Sequence, residues 1–234
     1  MKIENGPVLV CFALKEEATP FRKIAAGKPG VFTLIVGIGR QNAEKSVRSF
    51  LASCSPGLVL ACGFAGGLNP DLELGEVVFE FPSRSSRGNE AQAEIGNQLE
   101  PPDVGCYETL MAAGAKPAKF FCADRIATTV AEKKKLRDET GADAVEMESA
   151  VIHAVCAERG IPCVTVRVIS DTAHEDLPLD FNELAKADKS LDFGKLFLAI
   201  AKSPGKIGAL MALQKKTRFA AEKLANVLGR VVSE

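Results

Sequence analysis

Apolar residues in this chain gather in short continuous runs, not in strict alternation. Residues 7–14 (PVLVCFAL), 31–36 (VFTLIV), 57–62 (GLVLAC), 75–81 (GEVVFEF), 119–127 (KFFCADRIA) and 161–169 (IPCVTVRVI) read as strands, and residues 142–145 begin a short one. Runs apolar at every position suit strands buried on both faces. Helical patterns fall between them, over 15–24 with Pro20 near the start or interrupting, 41–51, 129–139 and 147–159, with Gly160 as a C-cap. Two more helices are expected over 179–201 and 206–232. Residues 82–105 are polar and predict a loop or surface excursion, and the glycines of 63–67 (GFAGG) predict a turn after the third strand. Strands alternating with helices imply an α/β fold, a mainly parallel sheet covered on both faces.

In such sheets ligands bind beyond the carboxyl ends of the strands, and four strand ends carry chemistry. The first leads into Lys15-Glu16-Glu17, the third into the glycines at 63–67, the short one into Glu146-Met147-Glu148, and the last into Ser170-Asp171. Acids at a helix start also favour the positive end of its dipole, and Asp171 also suits a helix N-cap, so a structural reading stands beside the functional one. Three acids converging beside a glycine turn nonetheless suggest a carboxylate-based small-molecule site. Gly37-Ile38-Gly39 follows a strand and precedes a helix, but Asn42 stands where a dinucleotide fingerprint has its third glycine. No acid follows about 20 residues on.

The length of 234 residues suits one α/β-sized core, so residues 1–234 are read as a single domain with a basic helical tail at 202–234. With 29 Lys+Arg against 30 Asp+Glu there is no global basic field to attract nucleic acid. Neither a membrane-spanning run nor an export signal is seen, which predicts a cytoplasmic protein. Seven cysteines, none in a CxxC pair and several inside apolar runs, suit reduced thiols. Only His153 and His174 are present, so a multi-histidine metal site is excluded. There is no G-x-S-x-G elbow for Ser-His-Asp hydrolysis, and neither a metal nor another cofactor is expected.

Several segments, in order along nearly the whole chain, resemble the nucleoside phosphorylase and nucleosidase superfamily, especially its methylthioadenosine/S-adenosylhomocysteine nucleosidase branch. They are residues 13–17 (ALKEE), 36–39 (VGIG), 63–68 with 74–78 (LGEVV), 145–148 (VEME) and 166–171 (VRVISD). Residues 171–177 (DTAHEDL) and the helical tail beyond Ser203-Pro204 resemble the hopanoid-associated phosphorylases, or adenosylhopane nucleosidases. The resemblance implies a three-layer domain with a mainly parallel mixed sheet flanked by helices, in a homo-oligomer that takes a small purine nucleoside. It also implies roles. Asp171 donates to N7 of the leaving purine, positioned by Ser170. Met147 and Glu148 hold the ribose. Glu17 orients or deprotonates the attacking water, with Arg167 beside it. Ile126 and Ala127 belong to the segment that lines the purine, and Phe64, Ala65 and Gly66 line the pocket.

Two residues depart from the family pattern. Phe64 replaces a small hydroxyl residue, and Ile126 replaces the aromatic that stacks on adenine, which together imply a different or larger 5′ substituent. The first loop lacks an arginine to hold phosphate, and Glu17 would repel it, so water is the expected nucleophile. A phosphorylase using phosphate as co-substrate, and a nucleoside-binding protein without catalysis, are the alternatives. From Lys202 to Val232 seven basic residues face one acid, Glu222, a local balance of about +6 on a helix with one apolar face. It reads either as an ordinary covering helix or as one resting peripherally on an anionic membrane.

Overall fold

The computed structural model describes residues 6–80, 104–184 and 205–233. In chain order these form β1 (Val8–Phe12), α1 (Lys15–Ala25), β2 (Val31–Ile35), α2 (Arg40–Leu51), β3 (Leu58–Gly67), β4 (Val77–Phe79), α3 (Val104–Ala112), β5 (Lys116–Pro117), β6 (Phe120–Cys122), α4 (Val130–Thr140), β7 (Ala144–Glu146), α5 (Ser149–Ala157), β8 (Cys163–Asp171), α6 (Phe181–Leu184) and α7 (Lys206–Val231). The sheet runs β2-β1-β3-β8-β4-β5, with β7 pairing the far end of β3 and β6 pairing β7. The strands from β2 to β8 are mutually parallel, whereas β4 on β8 and β7 on β3 are antiparallel.

Apolar side chains on both faces of the strands make this a three-layer α/β fold, as the continuous runs predict. Val8, Val10 and Phe12 point to a large cluster closed by Phe21 of α1, Leu110 of α3 and Leu224 and Leu228 of α7. Leu9 and Cys11, one residue out of phase, point to a second cluster closed by Val47 of α2 and Ile152 of α5. With β1, β3 and β8 buried along their length, their carboxyl ends emerge side by side at one edge of the core.

Several elements differ from the sequence expectation. The glycine stretch 63–67 is not a turn: β3 runs through it, paired with β8 as far as Gly66↔Asp171 and with β7 at Gly66↔Val145. Partners on both sides satisfy the backbone, which outweighs glycine's weak strand propensity. Asp171 ends β8 and is not a helix N-cap. Helix α5 begins at Ser149, not at 147, because the Glu146 carboxylate takes the backbone N–H groups of Glu148 and Ser149 at 2.9 and 2.8 Å. The strand expected over 119–127 keeps only Phe120–Cys122. Helix α3 begins at Val104, inside the expected 82–105 loop, most of which lies outside the described residues. Of the helix expected over 179–201, Phe181–Leu184 is helical and residues 185–201 lie outside the described residues. None of the seven cysteines is in a disulfide.

Candidate active site

Glu17 sits in the first turn of α1, just past the end of β1. Its side chain turns back over the sheet, where Oε2 accepts the N–H of Leu14 and Oε1 the N–H of Phe64, both at 2.8 Å. The residue is buried, and burial pushes its carboxyl up to about 7 against the lowering pull of the Phe64 N–H and the Arg167 guanidinium. Arg167 rises from β8 opposite and is also buried. It forms an ion pair with Glu146 and a looser one, 3.4 Å, with Glu148. Its Nε is, among the described residues, the one buried side-chain nitrogen or oxygen without a hydrogen-bond partner.

Gly63 lies between Glu17 and Arg167. A Cβ there would stand 2.7 Å from Arg167 Nη1 and 2.8 Å from Glu17 Oε1, at a φ of +149°. Glycine is therefore required, and the two side chains flank one point of β3.

Glu146 and Glu148 occupy opposite charge environments. Burial works against ionisation of Glu146, but Arg167 and the Ser149 hydroxyl (2.6 Å) hold its carboxyl below the usual range. Burial, helped by the charge of Glu146, raises that of Glu148. Glu148 Oε1 accepts the N–H of Gly39 at 2.8 Å. Gly37 and Gly39 adopt φ of 84° and 81°, conformations that favour glycine. The glycine pair that fails as a dinucleotide fingerprint thus serves to aim one amide at this carboxylate.

Asp171 forms the other end of the site. Its Oδ1 accepts the Ser170 hydroxyl at 2.8 Å, and its Oδ2 contacts Lys133 Nζ at 2.6 Å. Gly66 clears space beside it, since a Cβ there would lie 3.3 Å from Oδ2. Asp171 also borders a cleft of about 190 Å³ reaching Leu177, Leu213 and Lys216.

Of the remaining expected residues, Met147 lies half-buried between Glu146 and Glu148. Ala127 is buried near Leu68 and Val145. Ile126 has its backbone N–H and C=O both taken by the Asn182 amide, at 2.9 and 3.0 Å. Ala65 is buried with Val78 and Ile169. Phe64 places its backbone on Glu17 while its half-buried ring packs against the larger core cluster. The structure thus gathers Glu17, Arg167 and Glu148 into one charged cluster beside Gly63, with Asp171 and Ser170 further along β8. Asn182 and Lys133 are partners that sequence reasoning missed, and Glu146 and Gly63 stood at its strand ends without a role. Glu146 was open to discovery as the first acid of VEME, and Lys133 through its helical phase.

Residues 111–202 match the family model described as the phosphorylase superfamily. The chain is thus similar to members of the nucleoside phosphorylase and nucleosidase superfamily. It is 28% identical over 173 residues to a 5′-methylthioadenosine/S-adenosylhomocysteine nucleosidase of Shewanella halifaxensis, covering 68% of this chain and 75% of that one. It is 29% identical over 165 residues to an aminodeoxyfutalosine nucleosidase of Campylobacter jejuni, covering 62% and 69%. Among solved structures, the methylthioadenosine/S-adenosylhomocysteine nucleosidase of Helicobacter pylori with butyl-thio-DADMe-Immucillin-A superposes with a TM-score of 0.70 at 18% identity, over 98% of this chain and 99% of that one. The native futalosine hydrolase of the same organism gives 0.67 at 18%, over 97% of each. At that identity the structural likeness shows the fold alone.

Proposed function

We propose that this protein is a nucleosidase that hydrolyses the N-glycosidic bond of an adenosyl nucleoside and releases adenine. The observation that carries the reading is the surplus of carboxylates around one buried guanidinium: Glu17, Glu146 and Glu148 all act on Arg167. Such a site favours the positive charge that develops on the sugar as the bond breaks. It disfavours a phosphate dianion at the same place, which makes water the nucleophile. The relatives named as nucleosidases support the same class of chemistry.

In this reading Glu17 takes a proton from water as the oxygen bonds to C1′. The C1′–N9 pair of electrons leaves with the purine, and Asp171 delivers a proton to N7 so that the base departs neutral. A positioned acid of this kind contributes about 10²–10⁴-fold. Ser170 fixes the carboxyl of Asp171, Glu148 and Met147 hold the ribose, and the 126–127 segment flanks the purine. No metal or other cofactor enters any step.

The finer substrate reading is a nucleoside with a large apolar 5′ group, adenosylhopane in the first instance, with Phe64 lining the route of that group. The basic helix α7 then brings the pocket to the membrane that holds such a lipid. We also place the enzyme in the cytoplasm as a homo-oligomer, a dimer or larger, which light scattering measures directly.

Adenine release from methylthioadenosine, S-adenosylhomocysteine and a 5′-long-alkyl adenosine, each with and without phosphate, tests the proposal. Release without phosphate, fastest from the alkyl substrate, is expected. Strict phosphate dependence with ribose-1-phosphate as product would make the protein a phosphorylase. Saturable binding without turnover would make it a binding protein.

A further inference from the structure

We propose that Lys133 is a positioning residue for the reaction, supplying through Asp171 the proton that the leaving base receives; this rests on the nucleosidase reading. Lys133 lies in the first turn of α4, which Thr129 starts with a capping box. Its two successors, Lys134 and Lys135, are exposed and pair along the helix with Asp138 and Glu139. Lys133 instead points inward and has no solvent exposure. Burying an ammonium is costly unless every donor is satisfied. Here the three donors go to Asp171 Oδ2 at 2.6 Å, Thr172 O at 2.7 Å and Glu175 O at 2.9 Å.

The consequence lies at Asp171. With the Ser170 hydroxyl on Oδ1 and an ammonium on Oδ2, the carboxylate plane is fixed by two donors. The donor in contact with Oδ2 is Lys133 Nζ–H, at 2.6 Å. Protonating N7 then takes two linked transfers. Lys133 Nζ–H gives its proton to Oδ2, and the carboxylic acid so formed gives one to N7. Lys133 is left as a neutral amine and Asp171 again as a carboxylate, while the glycosidic electron pair neutralises the departing base. After release a proton returns from solvent by way of Asp171, which passes it back to Lys133. A lysine can make this exchange, whereas an arginine cannot be deprotonated in a protein.

The other charges around Lys133 are occupied. The Glu175 carboxylate pairs with Lys216 of α7. Asp176 accepts the N–H of Val130 at 2.6 Å. Glu132 pairs with Arg125 on the near side of α4. Asp171 is the carboxylate in contact with Lys133.

The test follows adenine release from pH 5 to 10 in the wild type, Lys133→Arg, Lys133→Met, Asp171→Asn and the double variant Lys133→Met/Asp171→Asn, each checked for folding by thermal melting. Lys133→Arg retains the charge and is expected to lose at least about 100-fold in kcat and to change the alkaline limb of the profile. The double variant replaces the ion pair with a neutral one and is expected to be no slower than Asp171→Asn, because Lys133 acts only through that carboxylate. If Lys133→Arg keeps the wild-type rate and profile, only charge is needed and the proposal is overturned. A double variant clearly slower than Asp171→Asn overturns it as well, even where a single Lys133 variant fails to fold. No adenine release by the wild type from any nucleoside would instead sink the nucleosidase reading, and this proposal with it.

Discussion

Arg167 faces three carboxylates that one guanidinium cannot balance. The site resolves the conflict residue by residue. Glu146 takes the ion pair and the Ser149 hydroxyl and is held ionised. Glu148 and Glu17 are pushed up by burial, Glu17 to about 7. A carboxylate with that value suits the general-base role proposed for Glu17, and two backbone N–H groups fix its orientation. The same shift acts on stability. Because the folded value lies above the ordinary 4.5, Glu17 binds its proton more tightly in the folded protein. Its favourable contribution is complete below about pH 4.5 and is lost as pH rises through about 7. Over that window the loss approaches about 3 kcal/mol, at 1.36 kcal/mol per unit. Glu17→Gln should remove this slope, so urea unfolding at pH 5.5 and pH 8 should differ less in the variant than in the wild type. The same variant should lose at least about 100-fold in adenine release. Equal slopes in the two proteins would mean that Glu17 is not held protonated near neutrality.

At the scale of elements, the site is a set of strand ends held in register by β3. Its pairing with β8 runs from Val59↔Cys163 to Gly66↔Asp171, with an irregularity between Ala65 and Gly66 that sets Asp171 beside Gly66. Gly63 and Gly66 make room for the two functional ends. Gly63→Ala should be the more damaging change. Its Cβ would meet Arg167 and Glu17 inside 3 Å at a φ that L residues rarely adopt, a cost of about 2–4 kcal/mol from strain and overpacking together. Gly66→Ala meets its neighbours at 3.2 Å and beyond and should cost less. Thermal melts of both variants check the order. The places of the main strands along the chain and the acids at their ends were legible in the sequence, because continuous apolar runs locate buried parallel strands; their order in the sheet was not. The glycine stretch was misread as a turn because glycine content reports local propensity, while its strand state comes from partners distant in sequence. Lys133 was hidden in a run of three lysines that reads as a solvated face. Only helical phase distinguishes it, since Lys133, Leu136, Arg137 and Thr140 form the inward side of α4. That its partner is Asp171 of β8 could not be read from one sequence.

Across the whole molecule, α7 is two helices in one. From Ala220 onward it is a packing element: Leu224, Leu228 and Val231 are buried, and Gly229 brings it close against Ile24 of α1. Before Ala220 it is largely exposed, with Ile207 at 46%, Met211 at 57% and Phe219 at 43% of their surface in solvent. Basic residues share this half. Lys216 is taken by Glu175 and Arg218 by Glu222, while Lys206 and Lys215 are exposed. Among the described residues no helix is long and apolar enough to cross a membrane, so contact with a bilayer would have to be peripheral. An amphipathic segment of this kind binds by burying a few apolar side chains and by attraction of its cations to anionic headgroups, about 1 kcal/mol per basic residue near the surface. The overall charge of −1 gives no such attraction, so any lipid dependence must come from the local excess on α7. Co-sedimentation with phosphatidylserine-containing and neutral phosphatidylcholine vesicles measures it. Binding should require the anionic lipid and weaken roughly in step with the Debye length as salt rises from 0.05 to about 0.5 M. Lys206→Gln/Lys215→Gln should reduce the electrostatic part, and Ile207→Ser/Met211→Ser the salt-resistant part, with adenine release from a water-soluble substrate unchanged in both. Absence of binding to anionic vesicles at low salt would leave the exposed half of α7 without a role in lipid contact and remove its support for a membrane-borne substrate, while the chemistry proposed at Glu17 and Asp171 would be untouched by that result.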